Sequence, residues 1–132
     1  MTIKSSQNLV EEALKEVNTI SPDEALKRFN DNKCNLIDIR DIRELQNSGK
    51  VENSLHIPRG MLEFWMDPKS QYYNESKFSK DKKLVLFCAA GMRSALATKT
   101  LKDMGYENIA HVQGGFGSLA NQGFEVVSKE KK

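Results

Sequence analysis

Short apolar runs alternate with helix-start signals along nearly the whole of this chain. Residues 35–40, 54–57, 84–87 and 109–112 are apolar-rich and strand-sized. Ser21-Pro22-Asp23-Glu24 supplies an N-cap hydroxyl, a first-turn proline and a capping-box carboxylate. Asp41-Ile42-Arg43-Glu44 repeats the box, and Gly49 marks its helix end. After residues 84–87, Ala97, Leu101 and Met104 share one expected buried helix face, with Gly105 as the stop. Gly114-Gly115 turns the chain into a last short helix ending near Gly123. Leu9, Ala13, Leu14 and Val17 give an amphipathic helix at the N-terminus, expected to pack loosely. Residues 60–65 suggest a bulky helical turn, and 67–83 a polar loop with a little helix. Such alternation implies an α/β sandwich with a mostly parallel sheet. The active crevice of such a sheet lies beyond the carboxyl ends of its strands.

Composition narrows the partners. The 132 residues suit one domain with a proper core. A net charge of +2 without a dense basic stripe argues against nucleic acid. Lys80, Lys82 and Lys83, and the tail residues Lys129, Lys131 and Lys132, read as solvated surface. No run approaches the ~20 apolar residues of a membrane span, so no membrane partner is expected. The N-terminus lacks the apolar core of a secretory signal, which points to the cytoplasm. Cys34, Cys88 and two distant histidines form no ligand pattern, so neither metal nor other cofactor is expected.

One of the strands ends in chemistry. Leu84-Val85-Leu86-Phe87 leads into Cys88-Ala89-Ala90-Gly91-Met92-Arg93-Ser94. This order sets a thiol at a strand end, facing a helix N-terminus. Loop amides and the helix dipole favour negative charge there, which lowers a thiol pKa and raises its reactivity. Ala89 and Ala90 are small enough for their amides to approach an anion. Gly91 permits a turn that points amides inward. Arg93 brings a fixed cation and Ser94 a hydroxyl donor. Cys88 is the expected nucleophile, and the segment from Ala89, Ala90, Gly91 and Met92 to Arg93 and Ser94 is the expected anion-binding loop.

This loop resembles that of the rhodanese family of sulfurtransferases. Leu36-Ile37-Asp38-Ile39-Arg40 with Glu44 is similar to the family's Asp-x-Arg…Glu segment. Gly49-Lys50-Val51-Glu52-Asn53-Ser54-Leu55-His56-Ile57-Pro58 resembles its Gly-His-Ile-Pro-Gly-Ala-x-x-Ile-Pro segment. Val112-Gln113-Gly114-Gly115-Phe116 resembles its late Gly-Gly turn. The chain departs at Lys50, at Glu52-Asn53, at Leu119 and at Glu125. It departs also at Ala89, where thiosulfate-using members often carry a basic residue.

The resemblance implies a three-layer sandwich, with helices on both faces of a mostly parallel sheet. It divides the chain into an N-terminal helical extension over 1–20, a rhodanese-like domain over 21–127 and a charged tail over 128–132. It implies transfer of a sulfane sulfur through a Cys88 persulfide. The donor would be a small molecule, the acceptor cyanide or a thiol, or a protein. Asp38 and Arg40 would brace the loop as an ion pair.

Other residues have plainer readings. Glu44 is a capping-box carboxylate, Cys34 a packing thiol, and His56 and His111 structural histidines. Met61, Phe64, Trp65 and Met66 divide evenly between a pocket wall and a core or subunit contact. Two functions compete with transfer. One is a persulfide carrier or sensor without turnover. The other is a cysteine phosphatase or arsenate reductase, whose loops enclose five residues between Cys and Arg rather than the four here.

Overall fold

The computed structural model describes residues 2–130. Met1 and the expected tail residues Lys131 and Lys132 lie outside the described residues. Helix α1 (Ser6–Glu16) precedes β1 (Thr19–Ile20), α2 (Pro22–Asn30), β2 (Cys34–Asp38) and α3 (Ile42–Ser48). Then come β3 (Lys50–Val51), β4 (Leu55–His56), a 3-10 turn (Arg59–Met61) and α4 (Leu62–Trp65). A second 3-10 turn (Glu75–Lys77) interrupts the polar stretch. The chain ends with β5 (Lys83–Phe87), α5 (Met92–Asp103), β6 (Ile109–Val112), α6 (Gly115–Gln122) and β7 (Val126–Val127).

Five strands form one parallel sheet in the order β1-β6-β5-β2-β4. Alternation along β5 feeds two cores. Val85 and Phe87 join Leu36, Val112, Leu119 and Phe124 on one face, where α2 and α6 pack. Leu84 and Leu86 join Ile37, Ile109, Ala97, Leu101 and Leu62 on the other, beneath α5 and α4. A parallel strand covered on both faces must be apolar on both, which the Leu-Val-Leu-Phe run satisfies. This is a three-layer α/β sandwich.

The helix starts follow from their local chemistry. Ser21 Oγ accepts from the Glu24 amide at 3.1 Å, with Pro22 in the first turn. At α3 the box closes both ways, Asp41 with the first-turn amides and Glu44 back to the Asp41 amide. Asn53 stands at φ +66, a conformation Asn tolerates where the family segment has Gly.

Three expectations change. Helix α1 lies against α5, with Ala13 fully buried, while Leu9 and Leu14 remain exposed. Ala13 is the buried residue of the docking face, with Val10 and Val17 half-buried three and four positions away. The main sheet also reaches back before Ser21, because β1 pairs with β6 and Ile20 enters the core. Met104 is exposed, standing at the C-cap of α5 on the rim of a cleft shared with Leu84 and Tyr106.

Candidate active site

Cys88 follows the last residue of β5, and α5 begins at Met92. The three residues between them turn the chain through Gly91, at φ +105. This brings two backbone amides onto one sulfur. Gly91 N–H donates to Cys88 Sγ at 3.1 Å and Ser94 N–H at 3.3 Å. The Ser94 hydroxyl stands 3.6 Å from the same sulfur. Cys88 is only 1% exposed, while Ala89, Ala90 and Met92 face solvent. Burial pushes the thiol pKa up, but the Ser94 hydroxyl and the amides of Ser94, Gly91 and Ala90 outweigh it and hold the thiol below its ordinary value.

The charges around the loop are paired. Both terminal nitrogens of Arg93 grip Glu44, Nη1 to Oε1 at 2.7 Å and Nη2 to Oε2 at 2.9 Å. The Arg93 hydrogen bond holds the Glu44 carboxyl below the usual range. Glu44 thus does two jobs, capping α3 and tying α3 to α5. Asp38 and Arg40 form a buried bidentate pair, with Nη2 to Oδ2 at 2.9 Å. Arg40 Nη2 also donates to the Gly49 carbonyl at 2.9 Å, and its guanidinium lies 3.9 Å from the Phe116 ring centroid.

Phe116 leads back to the loop, for its amide donates to the Cys88 carbonyl at 2.8 Å. Gly115, at φ +63, lets that contact form. A Cβ there would fall 2.4 Å from the Cys88 carbonyl oxygen and 2.6 Å from the Ala89 backbone. Gly115→Ala is therefore expected to cost about 1–3 kcal/mol. Differential scanning calorimetry would record it, together with slower alkylation of Cys88 as its loop shifts. Gly117 has open space at its Cβ position, so Gly117→Ala should match or exceed the parent in stability.

The remaining residues separate. Cys34 pairs with Lys83 at the far end of the same strands, about 16 Å of strand from Cys88. Burial pushes its thiol pKa up. His56 Nε2 donates to the Arg40 carbonyl at 2.7 Å, which holds the chain after β2. Met66 is buried and its carbonyl accepts from Tyr106, whereas Phe64 is exposed. An apolar cleft of about 580 Å³, lined by Met66, Tyr73, Phe78 and Leu84, opens at the amino end of β5, away from Cys88. Sequence reasoning read His111 as a structural histidine and did not link it to the loop. It is buried against Ser94, with Nδ1 3.0 Å from Oγ.

The Rhodanese-like domain family model matches residues 21–122. The chain belongs to the rhodanese-like domain family. A Rhodopseudomonas palustris protein, described as of unknown function and a possible tyrosine phosphatase, superposes with a TM-score of 0.87 at 39% identity. That match covers 96% of this chain and 98% of the other. The polysulfide-sulfur transferase homodimer of Wolinella succinogenes gives 0.73 at 31% identity, over 93% of this chain and 87% of that one. A curated sulfurtransferase of Allochromatium vinosum is 28% identical over 115 residues, 86% of this chain and 98% of that protein. Against three further curated relatives this rhodanese-like chain spans 22%, 27% and 54% of their length; the second is a tRNA uridine(34) hydroxylase of Erwinia tasmaniensis.

Proposed function

We propose that the chain is a sulfurtransferase that moves a sulfane sulfur through a Cys88 persulfide. The observation that carries this reading is the Cys88 sulfur, seated beyond β5 and accepting from the amides of Gly91 and Ser94. Donors aimed at one atom stabilise a thiolate first and an anionic persulfide afterwards. The thiolate attacks the sulfane sulfur of the donor. A new S–S bond forms, the donor's bond to that sulfur breaks, and its electron pair leaves on sulfite, on a thiolate or, from mercaptopyruvate, on the enolate of pyruvate. The acceptor then attacks the outer sulfur, and Cys88 departs as thiolate. No external oxidant is consumed.

In this reading Ala89 to Ser94 line the donor, while Asp38 and Arg40 hold the loop from behind through Phe116. Arg93 acts as a brace. Both its terminal nitrogens are engaged by Glu44, and they would have to leave that carboxylate to clamp a tetrahedral phosphate. The name of the Rhodopseudomonas protein keeps aryl-phosphate hydrolysis as the reading to test against. A resting Cys88 thiol needs a reducing compartment, so this reading places the protein in the cytoplasm.

The test is a donor panel on the full chain, with thiosulfate, mercaptopyruvate and glutathione persulfide, followed by mass spectrometry. One sulfur added at Cys88 and removed by cyanide or a thiol is the expected result. Ala89 supplies no cation for a sulfonate group, so glutathione persulfide should charge the protein at least about tenfold faster than thiosulfate. Faster charging by thiosulfate would contradict the donor assignment. A persulfide that no acceptor discharges would identify a carrier or sensor. Steady Cys88-dependent hydrolysis of an aryl phosphate would overturn the proposal.

A further inference from the structure

Behind the Cys88 sulfur runs a chain of polar side chains from three separate elements. Ser94, in the first turn of α5, has its hydroxyl 3.6 Å from Cys88 Sγ and 3.0 Å from His111 Nδ1. His111 lies in β6, and its Nε2 is 2.9 Å from Thr19 Oγ1 in the edge strand β1. Ser94 and His111 are 0% and 2% exposed, whereas Thr19 faces solvent. The parallel register sets Thr19 beside His111, so the last link is fixed by the pairing of β1 with β6.

We propose that His111 and Thr19 are positioning residues that aim the single hydroxyl proton of Ser94 at the Cys88 sulfur. This rests on the reading of Cys88 as the nucleophile.

The argument is a count of protons. A thiolate can only accept, and a serine hydroxyl has one proton to give. If Nδ1 were bare, sulfur and nitrogen would compete for it. If Nδ1 carries the ring proton, it donates to Ser94 Oγ, and the serine proton is left for the sulfur. Nε2 is then bare and needs a donor, which the Thr19 hydroxyl supplies. Thr19 keeps water on its open side. In the thiol form every bond of this chain points outward, from Sγ–H toward Thr19. On ionisation each proton moves one place along, and one proton passes from the Thr19 hydroxyl to bulk water. The bonds then all point inward, and the ring is neutral before and after. Burial agrees with this, since it pushes the His111 pKa down.

The charged group that feels Cys88 is Arg93, held by Glu44 of α3, while Arg40 is held by Asp38 of β2 and lies against Phe116. They are the same in every variant below.

The experiment reads the thiol, not sulfur transfer. The rate of iodoacetamide alkylation is followed against pH on the full chain, and the modified residue is identified by mass spectrometry. A protein that ionises Cys88 but transfers no sulfur still reports, so this proposal and the sulfurtransferase reading can fail separately. Thr19→Val and His111→Leu should each raise the Cys88 pKa by about one unit, the worth of one hydrogen bond to an anion. His111→Asn, which keeps an N–H donor near the Nδ1 position, should stay near the parent. His111→Leu combined with Ser94→Ala should raise it no further than Ser94→Ala alone, because both break the same link.

Far-UV circular dichroism establishes that each variant is folded. Should His111→Leu fail to fold, Thr19→Val at the exposed sheet edge carries the test. An unchanged thiol pKa in folded Thr19→Val or His111→Leu overturns the proposal. So does a double variant whose shifts add.

Discussion

Cys88→Ser should lose persulfide formation entirely and cut sulfur transfer by at least about a thousandfold. A serine hydroxyl ionises far above neutral pH and forms no stable bond to a sulfane sulfur. The fold should survive the change. Cys88 takes two amide hydrogen bonds, and a serine oxygen still offers Gly91 and Ser94 an acceptor. The measurement is intact mass after incubation with glutathione persulfide, beside a thermal melt. A folded variant that still gains an acceptor-labile sulfur would move the chemistry away from Cys88. Cys34 is the only other cysteine, and it lies at the opposite end of the sheet.

Asp38→Ala should be the most damaging single change to stability. Arg40 is 1% exposed and its guanidinium is met by the Asp38 carboxylate, the Gly49 carbonyl and the Phe116 ring. Removing the carboxylate leaves a buried cation without its counter-charge, which costs about 3–5 kcal/mol. That is a large share of the ~5–15 kcal/mol that holds a domain together. A melting temperature lower by roughly 10–18 °C should follow. Asp38→Asn keeps the shape and one acceptor oxygen, so it should lose less. Equal losses for the two variants would show that packing, not charge, is what Asp38 contributes. Activity should fall further than the folded fraction alone explains, because Arg40 reaches the Cys88 carbonyl through Phe116.

What the sequence discloses follows from how local each device is. The starts of α2 and α3 are legible because Ser21 and Asp41 cap amides two or three residues away. The β5 strand is legible because a run buried on both faces must be apolar throughout. The strands β1, β3 and β7 are two residues each, too short for any period, and exist only through pairing with distant segments.

The site divides the same way. Its loop is contiguous and readable. Glu44 was visible as a cap, but its grip on Arg93 spans 49 positions and leaves no local trace. His111 and Thr19 are separated by 92 positions. The available signal was a histidine within an otherwise apolar strand.

The depth of the Cys88 sulfur has a consequence for the proposed cycle. At 1% exposure, the protein's own reacting atom is withheld from anything bulky. A sulfur added to Cys88 would stand about 2 Å from it along the new bond. Loading therefore changes which molecules can reach the site, not only its chemistry. In the proposed cycle a donor with a slender sulfur-bearing tip would deliver sulfur to the recessed thiolate, while a large acceptor would meet a reactive atom only once cargo is aboard. Idle encounters between the empty protein and its customers are then unproductive, and delivery acquires a direction from geometry alone.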